Sequence, residues 1–173
     1  MFDQTKSKGR NMMRAALALA LALASTGLMA SEIAGKATVF DSTTIDIDGQ
    51  RIMLFGIDSI MRKQSCMANG KVWHCWEAAV RDLQTLVSQG AVTCEVVGEP
   101  DVYGRVLGRC KINGTSLNEQ YVRDGYALAR PSETTDYVAA EAEAKGKKIG
   151  LWQGQFMAPS EFRMKAGIFV ERP

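Results

Sequence analysis

The strongest constraint on the fold is the segment 39–61, which predicts two β-strands joined by a tight turn. Residues 44–48 alternate polar and apolar side chains, the pattern of a strand with one face in the core. Asp48-Gly49 follows directly and is a strong hairpin turn signal. Residues 51–57 are then predicted to form the returning strand. The segment therefore predicts a β-hairpin near the start of the domain.

The rest of the chain alternates strand and helix signals. Gly35 permits a bend or bulge in the first strand, and Ser116 with Glu119 predicts a capping box at the second helix. The signals predict strands at 33–40, 91–97 and 105–112, a loop at 58–69, and helices at 73–87, from Ser116, and from Ser132 or Thr134 to about Lys147. Five strands and three helices in this order predict an α+β domain, built as a small five-stranded barrel of the oligonucleotide/oligosaccharide-binding (OB) type packed with helices. Periodicity alone also permits an open α+β sheet.

The first thirty residues have the order of a secretory signal peptide. A basic head precedes the apolar run 15–24, and small residues follow at 25–30. This run is too short to cross a bilayer as a helix, although an uncleaved membrane anchor is the alternative interpretation. We predict a signal peptide at 1–30 with cleavage between 27 and 34, a domain at 31–163 and a loose tail at 164–173. After cleavage we expect an exported protein, periplasmic or secreted, without stable membrane insertion.

The positive charge of the chain lies in that leader. Residues 1–30 contribute +3 and the whole chain carries +2, so residues 31–173 carry −1. A nonspecific nucleic-acid binder usually has an excess of Lys and Arg, because neutralising phosphates supplies most of its affinity. The mature domain has no such excess, although a local basic patch remains open.

Four cysteines fit an exported protein and predict two disulfides. Cys94 and Cys110 lie at equal distances from the turn between two predicted strands, while Cys66 and Cys75 flank a short loop with Asn69-Gly70. We therefore predict the pairs Cys66–Cys75 and Cys94–Cys110. A zinc site is a weak alternative because no CxxC pair is present.

Six motifs in order resemble the staphylococcal nuclease (thermonuclease) family, most closely its exported bacterial branch with two disulfides. They span about residues 33–163 and read VFDSTTIDIDGQRIMLFGID, the loop from Cys66 to Trp73-His74-Cys75, DVYGRVLGRC, SLNEQYVRDGYALA, EAEAKGKKIGLW and PSEFR. The resemblance implies the OB barrel predicted above. It also implies a phosphodiesterase site, in which carboxylates hold calcium, a further carboxylate handles the attacking water and two arginines clamp the phosphate.

Three positions of that site keep a residue of the family type. Asp58 matches a calcium-binding carboxylate, and Asp41 matches an aspartate that lies near the metal without binding it directly. Arg105, in DVYGR, matches the second phosphate-clamping arginine. The resemblance therefore implies Asp58 and Arg105 as catalytic remnants, with Asp58 and Asp41 as weak calcium ligands if any activity is retained.

Three other positions have lost their chemistry. Thr43 replaces a direct calcium ligand, Met53 replaces the first arginine and Met61 replaces the water-handling glutamate. Losing one such contact commonly costs a factor of about 10²–10³ in rate. We therefore expect a degenerate, non-hydrolytic site without a cofactor. The alternative is a calcium-dependent nuclease with reorganised ligands, for which Arg51 is one possible substitute clamp.

Simpler structural roles compete for the same residues. Asp58 can cap the loop that follows it, and Arg105 can pair with Asp101 or Glu99 across its hairpin. His74, without a partner motif, is expected on the surface, and Trp73 is the best candidate for an exposed stacking aromatic. The expected function is binding of a protein partner or an oligonucleotide in the former nuclease cleft, where methionines favour a polypeptide surface. A purely structural protein of the cell envelope is a third interpretation, and the sequence does not determine the oligomeric state.

Overall fold

A computed structural model describes residues 31–168; the predicted signal peptide and the last five residues lie outside this range. The strands are β1 Glu32–Gly35, β2 Ala37–Val39, β3 Thr44–Ile47, β4 Gln50–Leu54, β5 Ile57–Ser59, β6 Cys66–Ala68, β7 Lys71–Trp73, β8 Val92–Val97, β9 Val106–Ile112, β10 Thr115–Ser116, β11 Ala127–Ala129 and β12 Gln155–Phe156. The helices are α1 Cys75–Val87, α2 Leu117–Arg123, α3 Val138–Lys147 and α4 Pro159–Ala166, with a 3₁₀ turn at Gly150–Gln153.

The main sheet forms a circuit of five long strand segments. Its order is β1-β8-β9-β4-β3-β2, so β1 and β2 stand at its two ends. These two strands are separated in the chain by Lys36 alone, which makes them two halves of one bent strand. The bent strand pairs with β8 through its first half and with β3 through its second. The predicted α+β class and OB-like fold are confirmed, including the bend near Gly35.

The parallel pairing of β4 with β9 is the topological mark of this barrel, since the other pairs of the circuit are antiparallel. The hairpin between β3 and β4 turns where it was predicted, with Asp48 and Gly49 at φ 52° and 86°. The core inside the circuit is apolar and includes Ile45, Ile47, Ile52, Leu54 and Val92.

The predicted strand 51–57 is wrong at its end, because β4 stops at Leu54 and β5 begins at Ile57. The reversal is made at Gly56, where φ is 74° and an added Cβ would lie 2.5 Å from the Thr134 side chain. β5 leaves the main sheet and pairs with β11 instead. Asp58 therefore lies in a short strand of a second sheet and not in the predicted loop.

The structure has four α-helices in the described range, against three predicted. The predicted start of the third helix is wrong: tight turns at Arg130–Thr134 delay α3 to Val138. Helix α4 extends three residues into the segment predicted as a loose tail, and Gly167, at φ 63°, ends it. The capping box at Ser116 is confirmed on one side, since Ser116 Oγ accepts the Glu119 N–H at 3.2 Å.

Both predicted disulfides are confirmed. Cys94–Cys110 joins directly opposed residues of β8 and β9, and Cys66–Cys75 joins β6 to the start of α1. The second bond lies in a separate small core with Ile60 and Leu151. Within residues 31–168, no helix is long and apolar enough to cross a membrane.

Candidate binding cleft

A cleft of about 880 Å³ opens beside the barrel, between the end of β2, the β5 segment and the start of α4. The structure brings together all six site positions that the sequence singled out. They are Asp41, Thr43, Met53, Asp58, Met61 and Arg105, and all of them line this cleft. The positions that the resemblance singled out therefore share one cleft.

Asp58 is held by an arginine that sequence reasoning gave no role. Arg163 Nη1 donates to Asp58 Oδ1 at 2.9 Å, and Arg163 Nη2 donates to Oδ2 in the same fork. The side chains are 9% and 16% exposed, so the pair is largely shielded from water. Hydrogen bonds to Asp58 raise the pKa of the Arg163 guanidinium, which stays charged.

A second arginine lies near the same carboxylate. Arg130 Nη1 is 3.8 Å from Asp58 Oδ2, while its Nε lies 2.9 Å from Glu133 Oε1. Glu133 in turn accepts the Gly56 N–H at 2.9 Å, which fixes the turn between β4 and β5. Asp58 also accepts the N–H of Ser59, so the predicted local cap is present together with the ion pairs.

Asp41 and Thr43 are hydrogen-bonded to each other in the turn between β2 and β3. Asp41 Oδ1 accepts the Thr43 N–H at 2.8 Å and the Thr43 hydroxyl at 3.1 Å. The hydroxyl therefore donates toward Asp41, and one Asp41 oxygen is occupied by its own loop. This arrangement explains why a threonine fits well at position 43 without serving as a metal ligand.

The two methionines make the cleft floor apolar. Met53 is 4% exposed and packs with Phe55 and Leu107. Met61 is half-buried, and its sulfur lies 3.9 Å from Arg163 Nη1. Neither side chain offers a charge or a proton-accepting group.

Arg105 forms the ion pair that was predicted with Asp101. Its Nε donates to Asp101 Oδ2 at 2.7 Å, and Asp101 Oδ1 also accepts the Arg105 N–H. The guanidinium lies 5.4 Å from the ring of Tyr103. A ligand phosphate would have to compete with this carboxylate for Arg105.

Arg62 and Trp76 form the remaining part of the wall. The Arg62 guanidinium lies 4.9 Å from the centre of the Trp76 ring, and both residues line the cleft. The expectation for Trp73 is wrong, since Trp73 packs into the small core and Trp76 faces the cleft. Arg51, the substitute clamp, stacks on Phe40 at 3.7 Å outside the set of lining residues. His74 is on the surface, with its side chain 88% exposed.

The residues present fit calcium poorly. A calcium site takes six to eight oxygen ligands, several of them carboxylate. Here both Asp58 oxygens are bound by Arg163, and the Thr43 hydroxyl donates to Asp41. Across residues 31–168, no three His, Cys, Asp or Glu side chains converge as a metal-binding group.

Sequence reasoning missed Arg130 and Arg163, the two cations at Asp58. Arg163 closes the motif PSEFR, which served only as a marker of the family. No sequence signal indicated the pair, because Asp58 was predicted in a loop, where a carboxylate does not need a charged partner. The partner lies 105 residues away in the chain, and no local pattern specifies that contact.

The fold is OB-like, and one cleft beside its main sheet holds all six positions that the resemblance singled out. Residues 51–154 match the staphylococcal nuclease homologue family. The chain is also 32% identical over 130 residues to the Succinoglycan biosynthesis protein ExoI of Rhizobium meliloti (strain 1021), an alignment that covers 73% of this chain and 68% of that protein. The chain therefore belongs to the staphylococcal nuclease homologue family.

Proposed function

We propose that this chain is a non-hydrolytic member of the family that uses the former nuclease cleft to bind a ligand. The observation that carries the proposal is the forked pair between Asp58 and Arg163. The carboxylate that the family pattern assigns to calcium already has a cation, and the cation is part of the protein. Met61 stands where the water would need a carboxylate, so the attacking nucleophile has no base.

The ligand that fits this cleft best is a polypeptide. Three of the four cleft arginines have carboxylate neighbours, which lowers the attraction of the cleft for a polyanion. Met53 and Met61 offer a polarizable apolar floor that adapts to varied side chains. Phe40, 54% exposed at the rim, adds apolar contact area.

A calcium-dependent phosphodiesterase is the second candidate. One observation favours it: Arg62, Arg105, Arg130 and Arg163 all line the cleft, and two of them could replace the lost clamp at Met53. This function requires Asp58 to release Arg163 when calcium and a phosphodiester arrive together. It also requires a base from outside the family pattern.

A nuclease assay on the mature protein separates the two candidates. Single-stranded DNA and RNA are incubated with the protein and calcium, with EGTA and Asp58→Ala as the matched controls. We expect no cleavage above the level of the Asp58→Ala protein. Calcium-dependent cleavage that EGTA and Asp58→Ala both abolish would overturn the non-hydrolytic proposal.

Restoring the family residues tests the reason for the loss. Thr43→Asp, Met53→Arg and Met61→Glu supply the ligand, the clamp and the base together. Because Arg163 still competes for Asp58, we expect more cleavage when Arg163→Gln is added to these three changes than with the three alone. The measurement is the initial rate of DNA cleavage with saturating calcium, and Lys165→Gln is the control for the fourth change.

Oligonucleotide binding without cleavage is the remaining outcome. We expect a labelled single-stranded oligonucleotide to show no saturable anisotropy change at 50 mM salt. Saturable binding that weakens steeply by 200 mM salt would identify the cleft as a nucleic-acid site and contradict the polypeptide assignment. Weaker binding by Arg62→Ala would then place the oligonucleotide in the cleft, and weaker binding by Arg81→Ala would place it on the outer face of α1.

Export is part of the proposal and rests on the two disulfides, which persist in oxidising compartments. The name of the Rhizobium meliloti relative ties that protein to succinoglycan biosynthesis. We therefore propose polysaccharide production as the process in which a deletion of this chain is to be examined first.

A further inference from the structure

Helix α4 is the least buried helix of the described chain and forms one wall of the cleft. Of its eight residues only Pro159 is buried, while Met164 is 74% exposed. Pro159, Ser160 and Arg163 line the cleft from this helix. Apolar burial is the main source of helix docking energy, so α4 gains little from packing.

The segment just before α4, residues 155–157, is held more firmly than the body of the helix, residues 160–166. The strand β12, just before the helix, pairs with β6, and Gln64 Nε2 donates to the Met157 carbonyl. Beyond Pro159 the strongest contact of the helix with the barrel is the fork from Arg163 to Asp58, with the Met61 sulfur beside it. Apart from the half-buried Phe162, the body of the helix is therefore held to the cleft by this one ion pair.

We propose that α4 is a latch on the cleft, closed by the Asp58–Arg163 pair and hinged at residues 157–158. The inference rests on the proposed function, since it describes access to the same binding site. When the pair breaks, α4 swings out and the wall formed by Ser160 and Arg163 leaves. The Asp58 carboxylate, which already lines the cleft, then loses its Arg163 partner. A basic side chain of a polypeptide ligand can then take the place of Arg163 at Asp58.

The charge balance supports this direction of opening. Arg130 stays 3.8 Å from Asp58 and is anchored separately by Glu133. Asp58 therefore keeps a neighbouring cation when Arg163 leaves, which lowers the cost of opening. The shielded position of the pair makes the closed state resist salt more than a surface ion pair does.

Hydrogen exchange of the full mature protein tests the latch without any ligand. Arg163→Gln and Asp58→Asn remove the pair from either side, and Arg163→Lys keeps the charge without the fork. Lys165→Gln is the matched control, because it removes only the exposed pair with Glu161 on the same helix. The readout compares amides 162–168 with those of α1.

We expect Arg163→Gln and Asp58→Asn to speed exchange at 162–168 at least about tenfold, with α1 unchanged. We expect Arg163→Lys to give a smaller increase and Lys165→Gln about twofold or less. Unchanged exchange at 162–168 in both pair variants would overturn the latch, because packing would then hold the helix. Equal acceleration at α1 and α4 would also overturn it, by making the pair part of the global fold. Neither result depends on the nuclease assay, so the latch and the proposed function can fail separately.

Discussion

Two buried polar junctions each hold three segments together, and they do so with different chemistry. At the scaffold junction, Asn118 of α2 is fully buried and binds only neutral backbone groups. At the cleft junction, Asp58 of β5 binds two guanidinium groups. The neutral junction lies inside the fold and the ionic one lines the cleft, so only the ionic junction is within reach of a ligand.

The hydrogen bonds of the scaffold junction join neutral groups only. Asn118 Oδ1 accepts the Cys110 N–H at 3.0 Å, and its Nδ2 donates to the carbonyls of Phe55 and Gly108 at 2.8 and 3.1 Å. These bonds tie α2 to β9 and to the end of β4. No charge is involved, so neither salt nor an ionic ligand can compete for them.

The largest expected effect comes from removing the neutral junction. Asn118→Ala leaves the Cys110 N–H and the Phe55 carbonyl buried without their partner, so we expect the free energy of unfolding to fall by about 3 kcal/mol. Urea denaturation with the disulfides intact measures it. Gln84→Ala, on the exposed face of α1, is the control and should change stability by less than about 0.5 kcal/mol. A loss below about 1 kcal/mol for Asn118→Ala would show that the junction is not a scaffold element.

The barrel could be predicted because local patterns specify it. The alternation at 44–48 and the Asp48-Gly49 turn define the β3–β4 hairpin, and the cysteine positions define the register of β8 against β9. The end of β4 was missed because strand propensity continues through Phe55, while the close approach of Thr134 to Gly56 is a tertiary contact. Asn118 was missed for the same reason, since an asparagine in a helix has no pattern that reveals three distant partners.

The cleft was predictable in position but not in its internal pairing. A motif resemblance groups Asp41, Met53 and Asp58, and the structure places them in one cleft. Met53 lies in β4, Asp41 in the turn between β2 and β3, and Asp58 in β5. The resemblance does not indicate which cation forms an ion pair with Asp58. That choice depends on where α4 docks, and a helix with one buried residue has almost no hydrophobic pattern to read.

The next expected effect measures how strongly the cleft junction couples its partners. In a double-mutant cycle of Asp58→Asn and Arg163→Gln at pH 7, we expect a coupling of about 2 kcal/mol. The value is smaller than the effect at Asn118 because Arg130 still neighbours Asp58 when Arg163 is gone. The cycle is read from urea unfolding at low salt and again at 1 M salt.

The exposed pair on the same helix supplies the control cycle. Glu161→Gln with Lys165→Gln should couple by about 0.3–0.5 kcal/mol at low salt and by nearly nothing at 1 M salt. If the Asp58–Arg163 coupling fell to the same level, this pair would contribute no more than a surface ion pair. The two junctions would then differ only in how deeply they are buried.

Asp82 extends the comparison to a third case. Within the described residues, its buried oxygen has neither a backbone donor, as Asn118 has, nor a guanidinium, as Asp58 has. Asp82 Oδ2 is buried and has no hydrogen-bond partner within residues 31–168. Burial, followed by repulsion from Asp124, raises the pKa of Asp82 to about 7. The folded state therefore holds this proton to a higher pH than the unfolded state, so the free energy of unfolding falls as the pH rises from about 4 to about 7. With partial exposure taken into account, we expect Asp82→Asn to be more stable than the native protein at pH 8 by on the order of 1 kcal/mol.

Urea unfolding at pH 5, 6, 7 and 8 measures this smallest effect, with Glu99→Gln, in the exposed loop between β8 and β9, as the control. The Asn variant should lose part of the pH dependence between pH 5 and 7, while the control should keep the native slope. Equal slopes for Asp82→Asn and the native protein would mean that Asp82 is charged and solvated in the fold. A lone carboxyl would then persist near the core at no cost, and the cation pair at Asp58 could no longer be explained by burial of its charge.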